Sequence, residues 1–242
     1  MKAFAIVVPD SEISMNGFAQ LQESYDRFGH EEGVTQWNAI ELDKVDGYCG
    51  GNGLVWNYPW SGQVSDIKSG LIKSAYQTAD KRKRMSCFLS HWYLWQHCKK
   101  LDETILILEH DSRLIKKLPA DSTFQKSKFD IIGINDPSMA TRKSKLYHDM
   151  ILQRAQSELQ SQQYTEFFQP VPRIDEFNIP QGLAGNSAYV MKPAGAEKMI
   201  ELTQEYGMWP NDALMCYQLV PRLGVTRNFY TRVQGLRSTT TL

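Results

Sequence analysis

The stretch that most constrains the fold is 103–111, E-T-I-L-I-L-E-H-D, in which Thr104, Ile105, Leu106, Ile107 and Leu108 run directly into Glu109, His110 and Asp111. A run apolar on both faces suits a strand buried inside a mostly parallel sheet, because alternation is needed only where one face meets water. In open α/β sheets the ligand lies beyond the carboxyl ends of the strands. Two carboxylates two residues apart at such an end project to one side and can share a hard cation. Mg2+ and Mn2+ are commonly held by one or two carboxylates together with substrate phosphates. Glu109 and Asp111 therefore point to a divalent ion and a nucleotide-diphosphate donor; the competing reading is a strand end capped by solvated charges.

A chain of 242 residues suits one large α/β domain, and at that size folding buries about three quarters of the unfolded surface. The expectation is a single domain over 1–242, an α/β fold with a mostly parallel central sheet flanked by helices. Lys plus Arg and Asp plus Glu balance at 27 each, which excludes a general attraction to nucleic acid or acidic membranes. No segment approaches 18 apolar residues, and the amino-terminal apolar run, 3–8, has no cleavage-site pattern after it. A soluble, cytoplasmic protein with no membrane span and no obligate protein partner is expected. Cys49, Cys87, Cys98 and Cys216 are dispersed without a C-x-x-C pair, so neither a disulfide framework nor a zinc site is expected.

Residues 2–8 read as a first buried strand, ended by Pro9 and Asp10, with a helix over 14–28 and a second strand over 34–40. The end of that first strand, Val8, Pro9 and Asp10, is where a nucleotide-binding fold seats a base or ribose, although no G-x-G-x-x-G or P-loop is present. Residues 46–62 are rich in glycine and carry Trp56 and Trp60. They read as a loop, either a substrate lid whose aromatic faces stack on sugars or an irregular surface segment pinned by the two tryptophans.

A short helix is expected over 66–77. The basic run Lys81, Arg82, Lys83 and Arg84 precedes or opens a helix over 85–100, whose Met85, Phe88, Leu89, Trp92 and Trp95 make an apolar stripe. The basic run is either a solvated face or an acceptor and phosphate contact. Ser90 and His91 lie beside the stripe, and a histidine so placed is either a packing residue or part of the pocket. Strands follow at 129–134 and 187–191, and a polar helical excursion fills 139–165. Residues 167–182 read as irregular. Helices are expected over 193–206 and from Asp212 to about 219, with a last strand over 224–230 and a basic, hydroxyl-rich tail.

Several of these stretches together resemble glycosyltransferase family 25, which includes lipopolysaccharide and procollagen galactosyltransferases. A-I-E-L-D-K-V-D-G at 39–47 is similar to that family's strand leading to an A-V-D-G turn. Cys87-Phe88-Leu89-Ser90-His91 with Trp95 matches its G-C-x-L-S-H-x-x-x-W helix, and L-I-L-E-H-D at 106–111 matches its L-I-L-E-D-D metal motif. G-N-S-A-Y-V at 185–190 followed by G-A-E-K at 195–198 resembles its G-x-x-A-Y-x-I and G-A-x-K-L segment, W-P-N-D at 209–212 its P-V-D, and Val233-Gln234 with Ser238-Thr239 its closing segment. Three features depart: His110 stands where an aspartate is usual, Ser86 replaces a glycine, and the arginine-rich segment after the first strand is absent.

The resemblance implies a GT-A-like Rossmann-type nucleotide-sugar-binding fold and a nucleotide-diphospho-sugar transferase, of the UDP-sugar kind, in which Asp111 coordinates Mn2+ or Mg2+ and Glu109 supports the metal or the donor ribose. Ser90, His91, His110, Asn186 and Tyr189 would line the donor or acceptor pocket. An inverting transfer needs a base, and Asp212 is the candidate; its alternative role is a helix N-cap. The expected acceptor is a glycan such as lipopolysaccharide. An alternative acceptor is hydroxymethylated DNA, engaged by Lys81 to Arg84, Trp56, Trp60 and the tail, its base flipped from the stack. A non-catalytic sugar- or nucleotide-binding relic is the reading of another class. A hydrolase built on His91, His97 and His110 lacks ligand spacing.

Overall fold

The computed structural model describes residues 1–30, 32–139, 144–161, 167–173 and 178–236. Strand β1 (Ala3–Val7) leads to helix α1 (Glu12–Arg27), β2 (Val34–Asn38) and α2 (Val45–Gly51). A hairpin, β3 (Gln63–Asp66) and β4 (Leu71–Ser74), precedes the long helix α3 (Lys81–Leu101). Then come β5 (Ile105–Glu109), β6 (Ser112–Leu114), α4 (Asp121–Gln125), β7 (Ile131–Gly133), α5 (Ser144–Gln160) and β8 (Phe168–Pro170). The described chain closes with β9 (Ala188–Met191), α6 (Pro193–Tyr206), α7 (Asn211–Leu214), β10 (Leu223–Thr226) and β11 (Thr231–Val233).

Seven of the described strands form one sheet in the order β2-β1-β5-β9-β7-β10-β8. Strands β2, β1, β5, β7 and β10 run one way, while β9, between β5 and β7, and β8, at the edge, run against them. The sheet is thus mostly parallel and flanked by helices, a GT-A-like Rossmann-type arrangement. Strand β5 lies in its interior because both of its faces are apolar: Ile105 and Ile107 join the core under α3 and α6, and Leu106 and Leu108 join the core under α1. All four are fully buried. The apolar stripe of α3 packs as its spacing predicts, with Phe88, Leu89, Trp92 and Trp95 buried and Met85 at the margin.

Four local expectations are overturned. Residues 45–51 are helical rather than loop, because Val45 and Cys49, four apart, are buried together against the core that includes α3. Residues 66–77 form the second half of a hairpin, not a helix: Gly70 at φ 71° reverses the chain, and β4 buries Leu71 and Lys73 on one face. The Lys73 ammonium donates to the Asn57 carbonyl at 2.7 Å and lies 3.5 Å from Asp66. The helix after Trp209 stops at Leu214 instead of about 219, and residues 168–170 within the expected irregular stretch pair with β10. The excursion at 139–165 is helical over Ser144–Gln160, and its remaining stretches, 140–143 and 162–165, fall outside the described residues, as do Ser238 and Thr239.

Candidate active site

Because β1, β2 and β5 are parallel neighbours, their carboxyl ends open at one edge into a cleft of about 750 Å³. Val8, Pro9, Asp10 and Ser11 after β1 form one wall, and residues 39–43 after β2 form another. Helix α3 contributes Lys83, Ser86, Cys87, Ser90 and His91, with Glu109 and His110 at the end of β5. The position predicted for a nucleotide at the end of β1 is therefore beside the motif at the end of β5.

The 39–47 segment and the Cys87–Trp95 helix motif are tied to each other. Ser90 Oγ accepts the Ile40 N–H at 3.0 Å and donates to the Ser86 carbonyl at 2.7 Å, and Ser86 Oγ donates to the Ile40 carbonyl. Both polar groups of Ile40 are thereby held on α3, so the serine that replaces the usual glycine acts as a second anchor. Ser90→Ala is expected to lower stability by about 1 kcal/mol, since it leaves the part-buried Ile40 amide without its acceptor. Chemical denaturation of the variant checks this.

His91 projects one turn beyond Cys87 on the same face of α3. Its Nε2 lies 3.1 Å from Glu109 Oε1 and its Nδ1 2.8 Å from the Tyr189 hydroxyl, which also accepts from Trp95 Nε1 at 2.9 Å. Tyr189 is fully buried, so it does not line the pocket as expected; it fixes the imidazole from behind. His97 instead packs 5.1 Å from Phe4 and 5.2 Å from Trp37, which disposes of a three-histidine centre.

The acidic motif sits in a tight frame. Glu109 N–H donates to the Ser187 carbonyl at 2.7 Å, His110 N–H to Ile6 at 3.1 Å, and Gln234 N–H to the Asp111 carbonyl at 2.7 Å. The Gln234 amide also donates to the carbonyls of Gly17 and Ser112, each at 2.8 Å. Gly17 permits α1 to approach this turn, because a Cβ there would lie 2.8 Å from the His110 carbonyl. Gln234 was quoted in the closing motif, but nothing in its spacing signals that it braces the metal motif.

The acidic groups act on one another's ionisation. Asp111 Oδ1 is buried with no hydrogen-bond partner, and burial, then the Glu109 charge, pushes the Asp111 carboxyl up to about 7. Burial, then Glu109, raises the Cys87 thiol, with Asp212 and Asp111 adding to it against Arg84. Asp212 itself is raised by burial, opposed by the Arg84 guanidinium and a hydrogen bond from the Tyr76 hydroxyl. It is not the N-cap of α7, a place held by Pro210. Burial lowers His110, with Glu109 opposing, so the imidazole favours its neutral form and adds no charge where an aspartate is usual. Asn186 is buried with neither amide atom partnered, in the loop whose Ser187 carbonyl receives Glu109.

The basic run divides. It opens α3, with Asp80 Oδ1 accepting the Arg82 N–H at 2.9 Å as the cap. Lys83 lines the cleft, Arg84 stacks 5.2 Å from the Tyr76 ring, Lys81 lies 5.4 Å from the Trp60 ring, and Arg82 is exposed. Trp56 and Trp60 stack at 4.6 Å and are half-buried.

The sequence model of glycosyltransferase family 25 (LPS biosynthesis protein) matches residues 21–215. The chain belongs to glycosyltransferase family 25. The matched span runs from within α1 to just past α7 and includes the Cys87–Trp95 stretch of α3, the E-H-D turn, the 185–190 segment that leads into β9, and Asp212. A comparison with curated proteins found no match. Family and fold together make this a glycosyltransferase, and no helix among the described residues is long and apolar enough to cross a membrane.

Proposed function

We propose that this family 25 member moves a sugar from a nucleotide-diphosphate donor, of the UDP-sugar kind, to a hydroxyl of a glycan such as lipopolysaccharide, with inversion and in the cytoplasm. The observation that carries the proposal is the cleft at the carboxyl ends of β1, β2 and β5, with Glu109 in its wall and, two residues on, an Asp111 oxygen that is buried and unpartnered. A buried carboxylate pushed up by a neighbouring carboxylate suits a cation, because hard oxygen donors and uncompensated negative charge are what Mn2+ or Mg2+ requires. Asp111 and Glu109 would hold that ion, which when bound stabilises charge on a diphosphate leaving group.

The chain's own groups supply the rest. Lys83 lies at the positive end of α3, where cations oppose the helix dipole. A donor phosphate in the cleft would relieve that opposition. Val8, Pro9 and Asp10 would border the nucleoside. His91, fixed by Tyr189, holds Glu109 in place. Asp212 would take the acceptor hydroxyl proton, oriented by Tyr76 and Arg84, and a carboxyl raised above its ordinary range is the better base. Trp56 and Trp60 offer a flat apolar face for an acceptor sugar ring. The glycan acceptor is favoured over hydroxymethylated DNA because Lys81 to Arg84 diverge instead of forming one basic face.

The test is incubation with a panel of nucleotide sugars and Mn2+, measuring released nucleoside diphosphate. One donor is expected to be hydrolysed slowly in water and faster with acceptor glycans. Binding of a nucleotide sugar without any turnover would establish the relic instead, and sugar incorporated into hydroxymethylated duplex DNA would replace the glycan acceptor.

A further inference from the structure

Cys87, His91 and Glu109 form a cluster that sugar transfer uses only in part. One donor atom from each lies within 4.8 Å of the others, and all three line the cleft. We propose that these three residues bind a zinc ion, with the fourth coordination position open to the cleft. A thiol, an imidazole and a carboxylate together select a borderline ion such as zinc, whereas Mg2+ and Mn2+ prefer oxygen alone.

The geometry is close to what such an ion requires. Tetrahedral zinc with bonds of roughly 2.0–2.3 Å places its donors about 3.5 Å apart. His91 Nε2 and Glu109 Oε1 are already 3.1 Å apart, and Cys87 Sγ, within 4.8 Å of both, must close by at most about 1.3 Å to match a spacing of about 3.5 Å. His91 carries the outer hydrogen bond that orients metal-binding histidines: Nδ1–H can donate to the Tyr189 oxygen, which Trp95 holds from the other side. In the metal-bound form that tautomer gives the Nε2 lone pair to the ion, which replaces the Nε2–H contact by which His91 otherwise holds Glu109. Binding then forms a Zn–S bond as the Cys87 S–H proton passes to solvent, so one proton is released per ion. A search for paired cysteines misses this arrangement, because its ligands come from one helix face and a strand end. Zinc here takes Glu109 away from the donor metal and so inhibits transfer; that consequence alone rests on the proposed function.

Co2+ reports the site directly. One equivalent is expected to give a thiolate-to-cobalt charge-transfer band and a tetrahedral visible spectrum, both displaced by Zn2+. Cys87→Ser should abolish the charge-transfer band, while Asp111→Asn should keep it and lose any thermal shift from Mn2+. Tyr189→Phe retains all three ligands and is expected to weaken Co2+ binding by roughly tenfold to a hundredfold. A spectrum of oxygen ligands only, a band that survives Cys87→Ser, or unchanged affinity in folded Tyr189→Phe would overturn the site. A wild-type protein that shows the cobalt band but turns over no nucleotide sugar would sink the transferase reading and leave the zinc site standing.

Discussion

Asp111→Asn is expected to reduce sugar transfer by about a thousandfold and, without metal, to raise the melting temperature. Loss of a coordinating carboxylate removes several kcal/mol of stabilisation of developing charge, and each 1.36 kcal/mol is about tenfold in rate. The stability effect has the opposite sign because the Asp111 carboxyl, held up near about 7 against an ordinary 3.8, is costly when ionised in the folded chain. Below 3.8 the carboxyl is protonated in folded and unfolded chains alike and contributes nothing. Between 3.8 and about 7 the folded state retains a proton that the unfolded state has lost, so stability falls as pH rises through this window. The full difference is at most about 4 kcal/mol at neutral pH. Asparagine has the same shape without the charge, so the variant should lose this pH dependence. Melting curves of both proteins between pH 4 and pH 8, with and without Mn2+, check it. An unchanged difference between them across that range would remove Asp111 as the strained carboxyl.

The E-H-D turn was legible because its cause is local: apolar residues on both faces force β5 into the sheet interior, and the carboxyl end of an interior strand meets the ligand crevice. Ser90 and His91 were legible as pocket residues through the family motif, but not that Ser90 holds Ile40 while His91 meets Glu109. Other features depend on distant partners. Residues 45–51 look like a loop by glycine content, yet Val45 and Cys49 bury one face of a turn of helix in the same core as α3. The hairpin at 63–74 hides behind a buried Lys73 whose charge is matched by Asp66 and the Asn57 carbonyl. Gln234 reaches the E-H-D turn from more than a hundred residues away, 124 in the case of its contact to His110. Tyr76 and Arg84 likewise acquire a role only when α7 brings Asp212 beside them. No spacing rule encodes such meetings, because packing of whole elements decides them.

Gly182→Ala tests that dependence on packing where it is most severe. Gly182 forms a bridge with Cys216, and the neighbouring Gln181 carbonyl accepts the Tyr217 N–H at 3.1 Å. A Cβ at this position would fall inside the carbonyl of Asp212 and lie 2.5 Å from that of Met215. Both obstacles are backbone atoms of the segment that carries Asp212, so no side-chain rotation relieves the overlap and α7 must move. Overpacking against backbone is expected to lower stability by about 3 kcal/mol. A base misplaced by an ångström costs about a hundredfold in rate. Glu109 and Asp111 are braced by Ser187, Ile6 and Gln234 instead, so the donor and Mn2+ should bind as before. The variant is therefore expected to lose kcat for transfer while keeping KM for the nucleotide sugar near the wild-type value. Wild-type kcat in a folded Gly182→Ala protein would remove Asp212 as the base, because its carboxyl cannot both shift with α7 and remain in register with the acceptor.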